Sequence, residues 1–317
     1  MLGMGKASRM KNDGDRRARI AAQREQERRR EQRKRIYLAG GSILVVAIVV
    51  VAIVLVKINS SPPTAAAAPT GSALTSVLKT IETVPSGTTD AVGAGGVDTG
   101  EFEAGNSSSQ ISTDAAGGNY FATVDSSTKL TSGGKPELLF MGGEYCPYCA
   151  AERWAMISAL SRFGTFSGLG TTHSSSTDVY PNTPTFDFYK SSYTSKYLNF
   201  TPVELYGDTS TTPLQTPTSA ETALEQSYDP QGSIPFLDFG NQYVDVGNLS
   251  PLVPSMLDGK SYQQISSAMA KPSGNSLGTA EDANANYITA AICKMTNEQP
   301  ASACTQTIQT LQQSFAS

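Results

Sequence analysis

From Ile36 to Val56 the chain carries no charged residue, and Ile43–Val56 is built almost wholly of Ile, Leu, Val and Ala. Those 21 residues, at a rise of about 1.5 Å each, match a hydrocarbon core of about 30 Å. A buried core helix seldom stays apolar all round over such a length, so the segment reads as a membrane span. It is longer than the apolar region of a signal peptide. No small-residue cleavage site follows it cleanly apart from the Ala run in Thr64–Pro69, which favours a retained signal anchor.

The flanks set the expected orientation. Arg28–Arg35 holds six Lys or Arg, whereas only Lys57 follows the span closely. The positive-inside bias places the N-terminus in the cytoplasm and residues 58–317 outside, as a single-pass plasma-membrane protein. Residues 1–35 contain 13 Lys or Arg and 5 Asp or Glu, leaving 11 basic and 23 acidic residues for the rest. The basic arm suits contact with anionic headgroups. The acidic remainder disfavours a nucleic-acid partner, because phosphate would repel it.

The expected organisation is a basic cytoplasmic arm (1–35), the span (36–57), a Pro/Ala/Ser linker (58–72), an irregular lead-in (73–135) and an ordered extracytoplasmic domain (136–317). The linker composition buries no core and reads as an extended tether. Thr75–Val84 has the pattern of one short amphipathic helix. Residues 85–134 are dominated by small and polar residues and read as a poorly regular wrap on the domain.

Order is expected to begin at Glu137–Met141 (ELLFM), a run suited to a fully buried strand. It leads through Gly142 and Gly143 into Cys146–Pro147–Tyr148–Cys149. Ala150, Trp154, Ile157 and Leu160 then fall on one helical stripe, with Gly164 as its stop. This strand–turn–CxxC–helix order carries a definite chemistry. Cys146 falls at a helix N-terminus, where free backbone N–H groups and the helix dipole favour a thiolate nucleophile. Pro147 fits the first helical turn, which needs no N–H from it. Cys149, one turn on, is placed to resolve a mixed disulfide formed on Cys146. Glu144, two residues before Cys146, is either a proton acceptor or an ordinary exposed carboxylate.

These residues resemble the thioredoxin-like superfamily, and the Pro-Tyr dipeptide is that of glutaredoxins. Three stretches, GGEYCPYCAAERWAMISALSRFGTF, DVYPNTPTFDFYKSSYTS and AAICKMTNEQPASAC, are more closely similar to a family catalogued as domain of unknown function 929. Its members are largely actinobacterial and archaeal and are taken to be thioredoxin-like; the likeness spans most of Leu74–Ser317. The resemblance implies an α/β (α+β thioredoxin-like) fold: a central mixed sheet flanked by helices, with an insertion and C-terminal helices. It also implies a thiol–disulfide oxidoreductase fold and a cis-proline facing the CxxC. Ile234–Pro235 is the candidate bond, and Pro235 would be the wall that positions a substrate backbone. The alternative is a proline opening an edge strand.

Between Cys149 and Pro235 lie 85 residues, which implies an insertion into the minimal fold. Tyr180–Phe200 holds seven aromatic residues, either a peptide-binding cover beside the CxxC or a satellite core packed on the sheet. Strands are expected at Asn199–Tyr206 and Tyr243–Val246, the latter paired with Ile234–Phe239. Helices are expected at Thr218–Ser227, Ser261–Ala270, Ala280–Met295 and Ala303–Phe315.

Cys293 and Cys304 straddle Pro300 and suit a structural disulfide between helices, with a redox relay to Cys146 and Cys149 as the alternative. Zinc would need four ligands, usually two close cysteine pairs. The wide second pair and a lone His173, in a polar stretch expected to be exposed, do not supply them. The same shortage weakens a copper-delivery role and a Ser/His/Asp triad. No metal or cofactor is expected. Two functions remain open: an oxidoreductase acting on exported protein thiols, or a non-catalytic binding module, with structural disulfides, on a membrane-protein partner or the cell envelope.

Overall fold

The computed structural model describes residues 64–95, 121–124, 127–246 and 252–315. The basic arm, the apolar span and most of the Gly/Ser-rich lead-in lie outside the described residues. No helix among the described residues is long and apolar enough to cross a membrane.

In chain order the elements are α1 (Gly71–Glu82), α2 (Ser86–Val92), β1 (Ala122–Thr123), β2 (Thr131–Ser132), β3 (Lys135–Gly142) and α3 (Pro147–Leu160). The insertion supplies β4 (Gly164–Ser167), β5 (Gly170–His173), β6 (Pro184–Asp187) and β7 (Ser192–Ser195). There follow β8 (Asn199–Glu204), α4 (Ser219–Tyr228), β9 (Phe236–Phe239), β10 (Tyr243–Val246), α5 (Tyr262–Ala270), α6 (Ser276–Met295) and α7 (Gln306–Leu311).

The architecture is mixed α/β, built on a central mixed sheet. Strand β3 runs parallel to β8 and antiparallel to β9; β10 pairs antiparallel with β9, and β1 edges β10. The ELLFM run is central because both its faces are covered. Leu138 and Phe140 point into the larger core with Trp154, Leu237 and Phe239. Leu139 and Met141 point the other way, to Val203, Phe236, Val244 and residues of α4. A strand's period of two explains this split.

Helix α3 is buried on every side except at Tyr148, so the single apolar stripe expected for it understates its burial. The sheet covers one side. From the insertion, the Pro184 carbonyl accepts from Trp154 Nε1 at 2.9 Å and Thr185 Oγ1 donates to the Ala150 carbonyl at 2.7 Å. The helix ends at Leu160, and Gly164 opens β4 instead of stopping α3. A Cβ at Gly164 would lie 2.4 Å from the Thr194 carbonyl oxygen across the β4–β7 pair, so only glycine permits that approach.

Strands β4 and β7 pair antiparallel around a second antiparallel pair, β5 with β6. Most of the insertion's aromatic residues are core. Phe186 meets Trp154 edge-on at 4.5 Å, and Phe188 contacts Phe140, Phe166 and Phe200. The satellite-core alternative therefore describes Phe186, Phe188, Tyr193 and Phe200.

Other expectations shift for local reasons. Helix α2 lies where only irregular chain was expected; Pro85 begins it and Asn286 Nδ2 donates to the Thr89 and Gly93 carbonyls at its end. Helix α1 begins earlier than Thr75 and closes at Thr83, ahead of Pro85. Helix α6 begins at Ser276 because Asn275 caps it through the Gly278 N–H. Helix α7 is short because Thr305 caps it late, and a 3-10 turn, Gln312–Ser314, follows. Cys293 in α6 and Cys304 before α7 form a disulfide, with a Cα–Cα separation of 5.7 Å. His173 is half-buried, not exposed: its Nε2 lies 2.7 Å from the Ala66 carbonyl oxygen and its ring meets Tyr262 edge-on. That contact fastens the end of the Ala-rich linker to β5.

Candidate active site

Strand β3 delivers the CPYC motif through two glycines packed closely against aromatic rings. A Cβ at Gly142 would lie 2.4 Å from the Phe140 ring, and one at Gly143 2.6 Å from the Tyr145 ring. The β3–β8 ladder is then extended into the turn. Glu144 N–H donates to the Tyr206 carbonyl at 2.9 Å and Tyr145 N–H to the Gly207 carbonyl at 3.1 Å. Cys146 emerges in extended conformation (φ −79°, ψ 121°) as the N-cap of α3, with Pro147 in the first turn. Its sulfur accepts from the Cys149 N–H at 3.3 Å, in the place a Ser or Asp oxygen takes in an ordinary cap.

Ile234–Pro235 is a cis peptide bond. It lies immediately before β9 and brings the Ile234 carbonyl oxygen to 3.7 Å from Cys146 Sγ. The residues Cys146, Cys149 and Pro235 are thus gathered at one end of the sheet, although 85 residues separate Cys149 from Pro235.

The two cysteines are free and electrostatically unlike. The Cys146 thiol is held below its ordinary range, first by the Cys149 thiol as a hydrogen-bond donor. The Cys149 N–H and the Arg153 charge add to this, while burial opposes it. Burial pushes the Cys149 thiol well above its ordinary range. Cys146 is 6% exposed and Cys149 wholly buried. The setting therefore favours the anion at Cys146 and the protonated thiol at the more deeply buried Cys149.

Sequence reasoning missed the charge beneath the motif. Arg153, seven residues after Cys146 on α3, is fully buried and forms a two-pronged pair with Glu204 at the end of β8. Its Nε donates to Oε1 at 2.9 Å and its second amino nitrogen to Oε2 at 2.6 Å. The Arg153 guanidinium also lies over the Phe140 ring, 5.5 Å from its centroid. A fixed cation in a dry site stabilises an adjacent thiolate more strongly than it would in water.

Glu144 is not the ordinary exposed carboxylate of the second reading. It is half-buried, and Oε2 accepts from Thr172 Oγ1 at 3.0 Å. Its pKa is raised to about 7, chiefly by burial and next by the Asp187 charge. A group that titrates there can take up or release a proton at neutral pH. Of the insertion's seven aromatic residues, Tyr180 reaches the motif, meeting the Tyr148 ring edge-on at 6.1 Å.

Among the described residues, the metal-ligand grouping found is Cys293, Glu298 and Cys304. Both its sulfurs are spent in the disulfide, which leaves one carboxylate and no zinc-like ligand set.

No curated protein and no solved structure matches the chain. Residues 120–231 match the model of the family described as Domain of unknown function (DUF929), a span that includes β3, the CPYC motif, the aromatic insertion and β8 but stops short of Pro235.

Proposed function

We propose that this chain is a thiol–disulfide oxidoreductase of thioredoxin-like fold, anchored in the plasma membrane and acting outside the cell on exported proteins. The arrangement of strands supports the fold assignment. A parallel pair, β3 and β8, is joined through α3, and an antiparallel hairpin, β9 and β10, lies beside β3 and is entered through a cis-proline. The uncharged stretch 36–56 and the basic flank before it support the anchor and its orientation.

The observation that carries the functional reading is the pairing of Cys146, an N-cap thiol shifted toward its anion, with Cys149, a buried thiol shifted toward its protonated form. In the reductive direction the Cys146 thiolate attacks a substrate disulfide, and one substrate thiolate leaves. Cys149 then gives up its proton and attacks the Cys146 sulfur, releasing the second substrate thiolate. The substrate gains two electrons and the Cys146–Cys149 pair loses them; the oxidative direction is the reverse. We assign uptake of the proton to Glu144, the half-buried carboxylate two residues before Cys146, whose pKa is raised to about 7. Pro235 forms the wall opposite Cys146.

One feature favours the second reading, a non-catalytic accessory module: Cys146 is only 6% exposed. Trapping separates the two. In a Cys149→Ser variant of the full chain the resolving thiol is gone, so mixed disulfides with exported proteins should accumulate and disappear on reduction. No trapped species, in a variant that folds and keeps a reactive Cys146, contradicts turnover and leaves the accessory module.

A further inference from the structure

The described segments around Cys146 combine aromatic rings with negative charge and carry no exposed Lys or Arg. Tyr206 is 39% exposed and sets its ring edge-on against Tyr145, with centroids 6.3 Å apart. On the other flank Tyr148 and Tyr180 make a second edge-on pair, and Val179, immediately before Tyr180, is 52% exposed. Val179 and Tyr206 are two of the three large apolar side chains exposed among the described residues, so this apolar exposure gathers beside the motif.

The segments that bring these rings together carry acids and no Lys or Arg; their one histidine, His173, is half-buried against the Ala66 carbonyl. The 174–183 loop is fastened to the motif by the Ser175 N–H, which donates to the Tyr145 carbonyl at 2.8 Å. Its Asp178 lies near enough for the charge to act on the Tyr145 hydroxyl, whose pKa is raised first by burial. Asp208 follows the Gly207 carbonyl that accepts from Tyr145 N–H. There is no Lys or Arg in 142–150, 171–183, 204–213 or 229–236. The one guanidinium beneath the motif, Arg153, is wholly buried and paired with Glu204.

Aromatic faces beside carboxylates, with no competing cation, are the chemistry that receives a guanidinium or an ammonium group. We propose that the site takes extended polypeptide segments in which Lys or Arg lies one or two residues from the reacting cysteine. A residue one or two places along an extended strand is displaced by about 3.3–6.6 Å, which keeps its side chain beside the reacting sulfur. The negative mouth also steers such segments toward it, raising their encounter rate and making that rate sensitive to salt. Neutral segments enter on the tyrosine faces alone, and acidic ones are repelled. This inference rests on the oxidoreductase reading and names its substrate class.

The test uses three short peptides, each with one cysteine carried as a mixed disulfide with thionitrobenzoate and flanked by Arg, Ser or Glu. The reduced full chain in detergent attacks the peptide sulfur through Cys146 and expels the yellow thionitrobenzoate anion. Cys149 then releases the peptide thiol, leaving the Cys146–Cys149 disulfide. Each rate is divided by the rate of the same peptide with dithiothreitol, an uncharged thiol, to remove the peptide's own reactivity. At low ionic strength the Arg peptide should exceed the Glu peptide by about tenfold or more, and the ratio should collapse toward one in about 0.5 M salt. An Asp178→Asn, Asp208→Asn double variant should bring the Arg peptide down toward the Ser peptide. Equal normalised rates, or a preference that salt leaves untouched, overturn the inference while the oxidoreductase reading stands. Failure to attack any of the three peptides overturns both.

Discussion

Raising the pH from about 5 to about 8 should destabilise the folded domain by roughly 3 kcal/mol or more. Four carboxyl groups carry this expectation: Glu152 on α3, Asp238 on β9, and Glu281 and Asp282 on α6, all buried. Burial raises Glu152 to about 8 and Asp238 and Asp282 to about 7, and lifts Glu281 well above the usual carboxyl range. Among the described residues, Glu152 Oε1, Asp238 Oδ2 and both oxygens of Glu281 and Asp282 have no hydrogen-bond partner. A neutral acid tolerates that setting far better than an anion does.

The sign follows from proton binding. Each group holds its proton more tightly folded than unfolded, so its stabilising contribution is complete below the unfolded value near 4. It is lost as the pH rises through the folded value. A tenfold tighter hold on one proton is worth about 1.4 kcal/mol. Glu152 and Glu281 act on each other, however, so the four contributions do not simply add. Urea titrations across this range should show the midpoint falling with pH. A Glu281→Gln variant should flatten the profile and gain stability at the alkaline end. A midpoint that rises from pH 5 to pH 8 contradicts the expectation.

Removal of Glu204 should be the most damaging single change near the motif. Both side chains of the Arg153–Glu204 pair are fully inaccessible. Glu204→Ala leaves a buried guanidinium with no counter-charge, at a cost of about 3–5 kcal/mol. Replacing both partners, Arg153→Met with Glu204→Leu, should restore most of that loss, because an apolar pair of similar volume suffers no desolvation penalty. The two thiols report the other half of the pair's role. Without the Arg153 charge, the double variant should show a Cys146 pKa higher than the parent's, even with stability recovered. Denaturation and thiol titration of the two variants separate these effects. If Glu204→Ala is as stable as the parent, the pair is not the buried element described.

The parts of this fold that are legible in the sequence are those whose physics is local. ELLFM reads as a buried strand because apolar residues fill both of its faces. The CPYC motif reads as a helix N-terminus because proline and the cap position tolerate each other there. Pro235 rests on the resemblance, and no spacing rule could have paired it with Cys146 across the insertion. What stays hidden depends on tertiary cover. Glu281, Asp282, Asn284 and Asn286 of α6 look like a solvated helix face, yet they are buried. Glu152 and Arg153 interrupt an otherwise small and apolar helix in the same way, and look like surface positions. The signal available is their isolation: a lone Arg in AAERWAMISAL has its charge partner 51 residues away. Glu144 stands out by its position, but its raised pKa involves burial and the Asp187 charge, and its partner Thr172 also comes from the insertion.

The central claim is that Cys146 and Cys149 are a nucleophile and its resolving thiol, and the pH dependence of alkylation tests it most directly. The reduced full chain would be treated with iodoacetamide across a pH series, and the modified cysteine identified by peptide mapping. Cys146 should be modified first, with a rate midpoint below the free-thiol value of about 8.5, and Cys149 should stay unmodified until the protein unfolds. Equal reactivity of the two cysteines, or a Cys146 midpoint at or above the free-thiol value, would contradict the claim.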